Sequence, residues 1–65
     1  MFIEEMEDRI RYMGRMIVDE RCHAINTKCY GEALLEDLDS YEYETGDGYP
    51  ETRNDIVNML MEVEG

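Results

Sequence analysis

Sixty-five residues make one small domain, and Leu, Ile, Val and Phe supply only 13 of them, at the border below which chains stop folding alone. Seventeen acids against six bases leave a net charge of −11, which adds self-repulsion to a thin core and disfavours direct binding to nucleic acid or anionic lipid. No apolar run approaches the ~20 residues of a transmembrane helix, and two Cys are too few for a disulfide scaffold.

The charge divides unevenly along the chain. Residues 1–30 carry six acids and five bases, whereas residues 31–65 carry eleven acids and one base. Such a split assigns different work to the two halves. The opening Met1-Phe2-Ile3-Glu4-Glu5 shows no basic or apolar leader pattern, and Asn26, Asn54 and Asn58 lack a glycosylation context. The expected location is a reducing cytoplasm.

The first predicted element is one long helix over about residues 2–25. Ile3, Met6, Ile10, Met13, Ile17 and Ala24 recur at three- and four-residue steps and form a narrow apolar stripe. Glu5 and Arg9, Glu7 and Arg11, and Arg15 and Asp19 stand at i,i+4 as opposite charges on its outer faces. Gly14 costs about 1 kcal/mol against Ala inside such a helix, yet the stripe keeps its phase through it. The reading is therefore a continuous helix with a close contact at Gly14. Val18, Cys22, Ile25 and Cys29 add a second apolar line, so the helix has two sides to bury. At 1.5 Å per residue it would be about 36 Å long and overhang its shorter neighbours. A homodimer through Ile3, Met6, Ile10, Met13 and Ile17 would cover the overhang.

Asn26-Thr27-Lys28 is expected to end this helix. A second helix follows over about residues 31–41, with Tyr30, Leu34, Leu38 and Tyr41 as its apolar line. Residues 42–50 read as an acidic, turn-rich loop around Gly46-Asp47-Gly48. Alternation of Tyr41, Tyr43 and Thr45 with Glu42 and Glu44 makes a short hairpin near 41–50 the competing reading. A third helix covers about residues 52–64, opened by Thr52 with Asp55 as an approximate capping box. Ile56, Met59, Leu60 and Val63 face the core, while Val57 and Met61 need another cover. The expected fold is all-α, a small bundle within a single domain spanning 1–65.

Enzymatic chemistry finds no support in the residues. One His, one Ser and no nucleophilic constellation leave acyl transfer without its parts. Cys22, His23 and Cys29 do not make the two close ligand pairs of a structural zinc site, and adjacent Cys22 and His23 diverge on a helix. If helical, the two thiols lie ~10.5 Å apart along the axis, too far for a disulfide. They are expected to be buried or half-buried, and His23 to be a surface helical residue. Asp37 and Asp39 begin like a calcium loop, but Tyr41, Glu42 and Gly48 break the pattern. No metal, cofactor or catalytic residue is expected.

The acidic segment carries the functional expectation. Glu36, Asp37, Asp39, Glu42, Glu44 and Asp47 are interleaved with Tyr41, Tyr43 and Tyr49, and no Lys or Arg interrupts them. Acids on a helix face or in an extended run stand about 5–7 Å apart, near the spacing of successive phosphates. Tyr rings add rigid contact area. The expected function is a non-enzymatic inhibitor or regulator that binds a basic, nucleic-acid-binding protein as a nucleic-acid mimic. Small acidic proteins of phages and mobile elements are its analogues in size and charge. The competing expectation is a small adaptor or assembly protein that docks through its Met-rich ridge.

Overall fold

The computed structural model describes residues 2–64 as three α-helices packed together, α1 (Phe2–Val18), α2 (Ala24–Thr45) and α3 (Pro50–Glu64). The all-α expectation holds, but the long helix is the second one. Among the described residues there is no strand, and residues 41–45 form the end of α2.

α1 stops at Val18 because Asp19 turns the chain. The Asp19 carboxylate accepts the Arg21 backbone N–H at 2.9 Å, and the Cys22 N–H reaches the Asp19 carbonyl at 3.0 Å. Such a local bond gives the backbone an alternative to the helical ladder. It also holds the Asp19 carboxyl below its ordinary value of 3.8, with the backbone bond first and the Arg21 side chain second. The apolar stripe marks the same boundary, since after Ile17 its next steps fall on Glu20 and Arg21. The expected helix over 2–25 therefore ends seven residues early. Asn26-Thr27-Lys28, expected to terminate it, forms the first turn of α2. The expected i,i+4 pairs give way to other partners: Arg9 reaches across to Asp37 on α2, while Arg11 bonds Asp8 and Arg21 bonds Asp19, both nearer in sequence than i,i+4.

Gly14 lies within α1, as its phase predicts. An added Cβ there would sit 3.6 Å from Met59 Cε, an ordinary contact, so the site does not demand glycine. Gly31 does. It lies inside α2, and a Cβ would stand 2.7 Å from both Leu60 Cδ2 and Met13 Cε. The missing side chain lets α2 approach both neighbours. Gly31→Val is expected to destabilise the fold by about 1–3 kcal/mol through overpacking, read as a lower urea midpoint.

α2 ends at Gly46, whose φ of 82° is left-handed and whose N–H bonds the Glu42 carbonyl at 2.7 Å. This is the glycine cap that supplies a carbonyl partner at a helix C-terminus. Residues 46–49 complete the connection. Asp47 Oδ1 accepts the Tyr49 N–H at 3.4 Å. α3 then opens with Pro50, whose fixed φ suits the first helical position. Thr52 is thus inside α3 rather than its cap.

Side-chain pairs fix the topology. Phe2 meets Tyr41, Arg9 meets Asp37 and Tyr12 meets Tyr30, so α1 and α2 are antiparallel. Arg53 meets Asp39 and Lys28 meets Glu64, so α2 and α3 are antiparallel as well. The core is Met6 and Met13 from α1, Leu34 and Leu38 from α2, and Ile56 from α3. Met6 and Met13 were expected at a dimer contact, but here the two later helices close over them. Ile3, Ile10 and Ile17 remain half-buried.

Candidate interaction surface

An up-down-up bundle places the α1 N-terminus, the α2 C-terminus and the α3 N-terminus at one end. Residues 2–9 and 36–55 gather there with twelve acids and two bases, Arg9 and Arg53. The remaining residues hold five acids and four bases. Nearly the whole net charge therefore lies on one half of a molecule about 37 Å long. Sequence reading confined the acidic segment to residues 36–47. The fold adds Glu51 and Asp55 from the start of α3, and Glu4, Glu5, Glu7 and Asp8, acids distant in sequence that the antiparallel chain path brings alongside. Recognising three antiparallel helices would have been enough to find them.

The expected contact residues do not share one face. Residues 36–44 are helical, so they spread around α2 at 100° per residue, and Glu42 and Glu44 diverge instead of aligning along a strand. Asp39 and Glu42 turn towards α3, where Arg53 bridges them at 2.6 and 3.4 Å. Asp37 turns towards α1 and bonds Arg9 at 2.9 Å. Tyr41 and Tyr49 enclose Phe2, with the Phe2 and Tyr41 rings 4.0 Å apart and nearly coplanar in orientation at 7°. These two tyrosines therefore close the acidic end of the core. Glu36, Tyr43, Glu44 and Asp47 stay exposed, Tyr43 at 92%. No ion pair reaches Glu36, Glu44 or Asp47 among the described residues.

Helix dipoles shape this end. The N-termini of α1 and α3 favour the acids Glu4, Glu5 and Glu51 in their first turns. The last turn of α2 holds Glu42 and Glu44 and no base, so its dipole opposes them. Tyr49 is also held at φ 44°, a left-handed conformation that costs a bulky residue of order 1–3 kcal/mol. Its packing on Phe2 and Tyr41 offsets part of that cost, at about 0.5–1.5 kcal/mol per aromatic pair.

The Tyr49 phenol is raised above its ordinary value of 10.0, first by a hydrogen bond with Tyr41 and then by burial, by the Tyr41 charge and by Asp47. A raised acid favours its neutral form in the fold. This contribution is complete below pH 10 and is lost as pH climbs through the higher folded value. The urea midpoint of the wild type should therefore fall more steeply above pH 10 than that of Tyr49→Phe. Parallel curves would refute the assignment.

Cys22 is half-buried, 3.6 Å from the Thr27 hydroxyl, whereas Cys29 is exposed, against the expectation that both would be covered. Cys29 lies on the exposed outer face of α2, which starts at Ala24, seven residues earlier than expected. His23 is the extended residue before α2, at φ −71° and ψ 140°, and not a helical residue. Among the described residues, no cluster of three or more His, Cys, Asp or Glu side chains is disposed to hold a metal. Among the described residues, no helix is long and apolar enough to cross a membrane.

A second feature lies along α2 and α3. Ile25 and Met61 are each 63% exposed, and Val57 is 37% exposed. Val57, Met61 and Glu64 follow one another at i, i+4 and i+7 on α3. No protein-family model, curated protein or solved structure matches this chain.

Proposed function

We propose that this protein is a non-enzymatic inhibitor or regulator whose acidic half binds a basic surface on a nucleic-acid-binding protein, in the manner of a nucleic-acid mimic. The observation that carries the reading is the polarity of the bundle: twelve acids against two bases on one half, five against four on the other. Solubility alone is served by interspersed charge, whereas a one-sided field steers and orients a partner. Arg9 and Arg53 neutralise Asp37, Asp39 and Glu42 in part. The contact set therefore narrows to Glu36, Tyr43, Glu44 and Asp47, with Glu4, Glu5 and Glu51 beside them. Two free thiols suit a reducing cytoplasm as the place of action.

The test is capture from a lysate of the source cells on the tagged protein, with low-salt and high-salt washes and duplex DNA as competitor. Nucleic-acid-binding proteins released by salt and displaced by DNA are the expected catch. A partner that survives high salt and ignores DNA would overturn the mimic. That result would favour the adaptor reading, which the exposure of Ile25, Val57 and Met61 supports. A homodimer remains part of the proposal, now through the half-buried Ile3, Ile10 and Ile17 alone. Sedimentation equilibrium at micromolar concentration decides it, and a monomer there ends the idea.

A further inference from the structure

The outer groove between α2 and α3 has two unlike walls. On α3 the wall is Val57 and Met61. On α2 it is Glu32 and Glu36, one turn apart and both exposed. Leu35 and Leu60, half-buried and packed on the core, lie between them. The register follows from the ion pairs at the two ends, Arg53 with Asp39 and Lys28 with Glu64. It sets Val57 level with Leu35, and Met61 level with Gly31, the residue before Glu32. From Lys28 to Asp39 the groove is about 16 Å long, or three helical turns.

We propose that this groove is a docking site for a basic amphipathic helix of a partner protein. The inference rests on the charge reading above for the sign of the partner, since Glu36 belongs to the acidic half and Glu32 stands one turn beyond it, and it adds the partner's shape. An apolar stripe at i, i+3, i+4 and i+7 would cover Val57, Met61, Leu35 and Leu60. Lys or Arg on the flank of that stripe would meet Glu32 and Glu36. A second copy of this chain is the rival occupant, and its acidic half would meet an acidic wall.

The test uses two synthetic peptides of identical Lys and Leu composition and about four helical turns. One holds an apolar stripe, and the other is scrambled so that the stripe is lost. Both are titrated into the isotope-labelled full-length protein, read by anisotropy and by amide shifts. The striped peptide should bind about tenfold more tightly, the gain from burying part of two side chains. Its largest shifts should fall on Leu35, Val57, Leu60 and Met61. The double variant Val57→Ser with Met61→Ser, its helicity checked by circular dichroism, should lose that tenfold advantage and keep the affinity for the scrambled peptide.

Equal affinity for the two peptides, both weakened by Glu32→Lys with Glu36→Lys, would overturn the groove and leave the charge reading standing. Striped-peptide binding untouched by that charge reversal would overturn the acidic wall and with it the basic occupant of the groove. No binding of either peptide, or shifts centred on α1, would also overturn the groove. So would concentration-dependent shifts of Val57 and Met61 without peptide, which would make a second copy the occupant.

Discussion

Replacing Glu32, Glu36 and Glu44 by lysine is expected to slow association with the captured partner by roughly 10- to 1,000-fold at low salt, the range that electrostatic steering spans. The three side chains are exposed on α2, and no ion pair among the described residues depends on them. The substitutions change the field by six charges without removing a buried atom. The deficit should shrink as ionic strength rises, because the Debye length falls from about 10 Å at 0.1 M to about 3 Å at 1 M. Surface plasmon resonance across a salt series gives both numbers.

Stability should move the other way. Glu44 lies in the last turn of α2, where the dipole opposes an acid and no base compensates. A lysine there reverses an unfavourable interaction typically worth 0.3–1 kcal/mol, and a domain of this size gains a few degrees of melting temperature from it. A variant that is more stable and binds less tightly separates a binding role from a structural one. Affinity unchanged at low salt would show that these acids only solvate the fold.

The same residues show what the sequence could and could not reveal. Helical periodicity identified α1 and α3 and the inward Leu34 and Leu38, because buried apolar positions recur every three or four residues. It overran at Val18, where Ile17 and Ala24 looked like one continuing stripe. The competing local bond from Asp19 to the Arg21 N–H leaves only a weak trace in composition. Gly31 was misplaced for a related reason. A glycine reads as a boundary when the neighbouring helices are unknown, and only their packing reveals Leu60 and Met13 pressed against it.

At the surface, the excess of acids was legible but its arrangement was not. Arg9 and Arg53 are ordinary bases in the sequence and become partners of Asp37, Asp39 and Glu42 only once the helices are antiparallel. Tyr41 and Tyr49 likewise read as exposed anchors until Phe2 arrives from the other end of the chain. Tyr43 alone of the three keeps the exposure that a contact anchor needs.

Ile56→Ala is expected to cost about 2–5 kcal/mol, the usual range for truncating a buried isoleucine. A chain of 65 residues at 0.05–0.15 kcal/mol per residue holds roughly 3–10 kcal/mol in all. Ile56 is the one fully buried core residue that α3 supplies, and it is 0% exposed. Its loss leaves α3 held by the half-buried Met59 and Leu60 and by ion pairs that remain solvent-exposed, which are worth little each. Two results follow for the variant. Its urea midpoint should collapse towards the native baseline, and its helical signal should already be reduced without denaturant. Val57→Ala, at a position 37% exposed on the same helix, removes two carbons from the outer groove and should cost less than half as much. The contrast matters for every binding experiment on this protein. A variant of Ile56 would lose its partner because α3 no longer packs, whereas a variant of Val57 tests the groove itself. Equal costs at the two positions would mean that α3 is anchored through its outer face, and Ile56 would then not be the residue that fastens it.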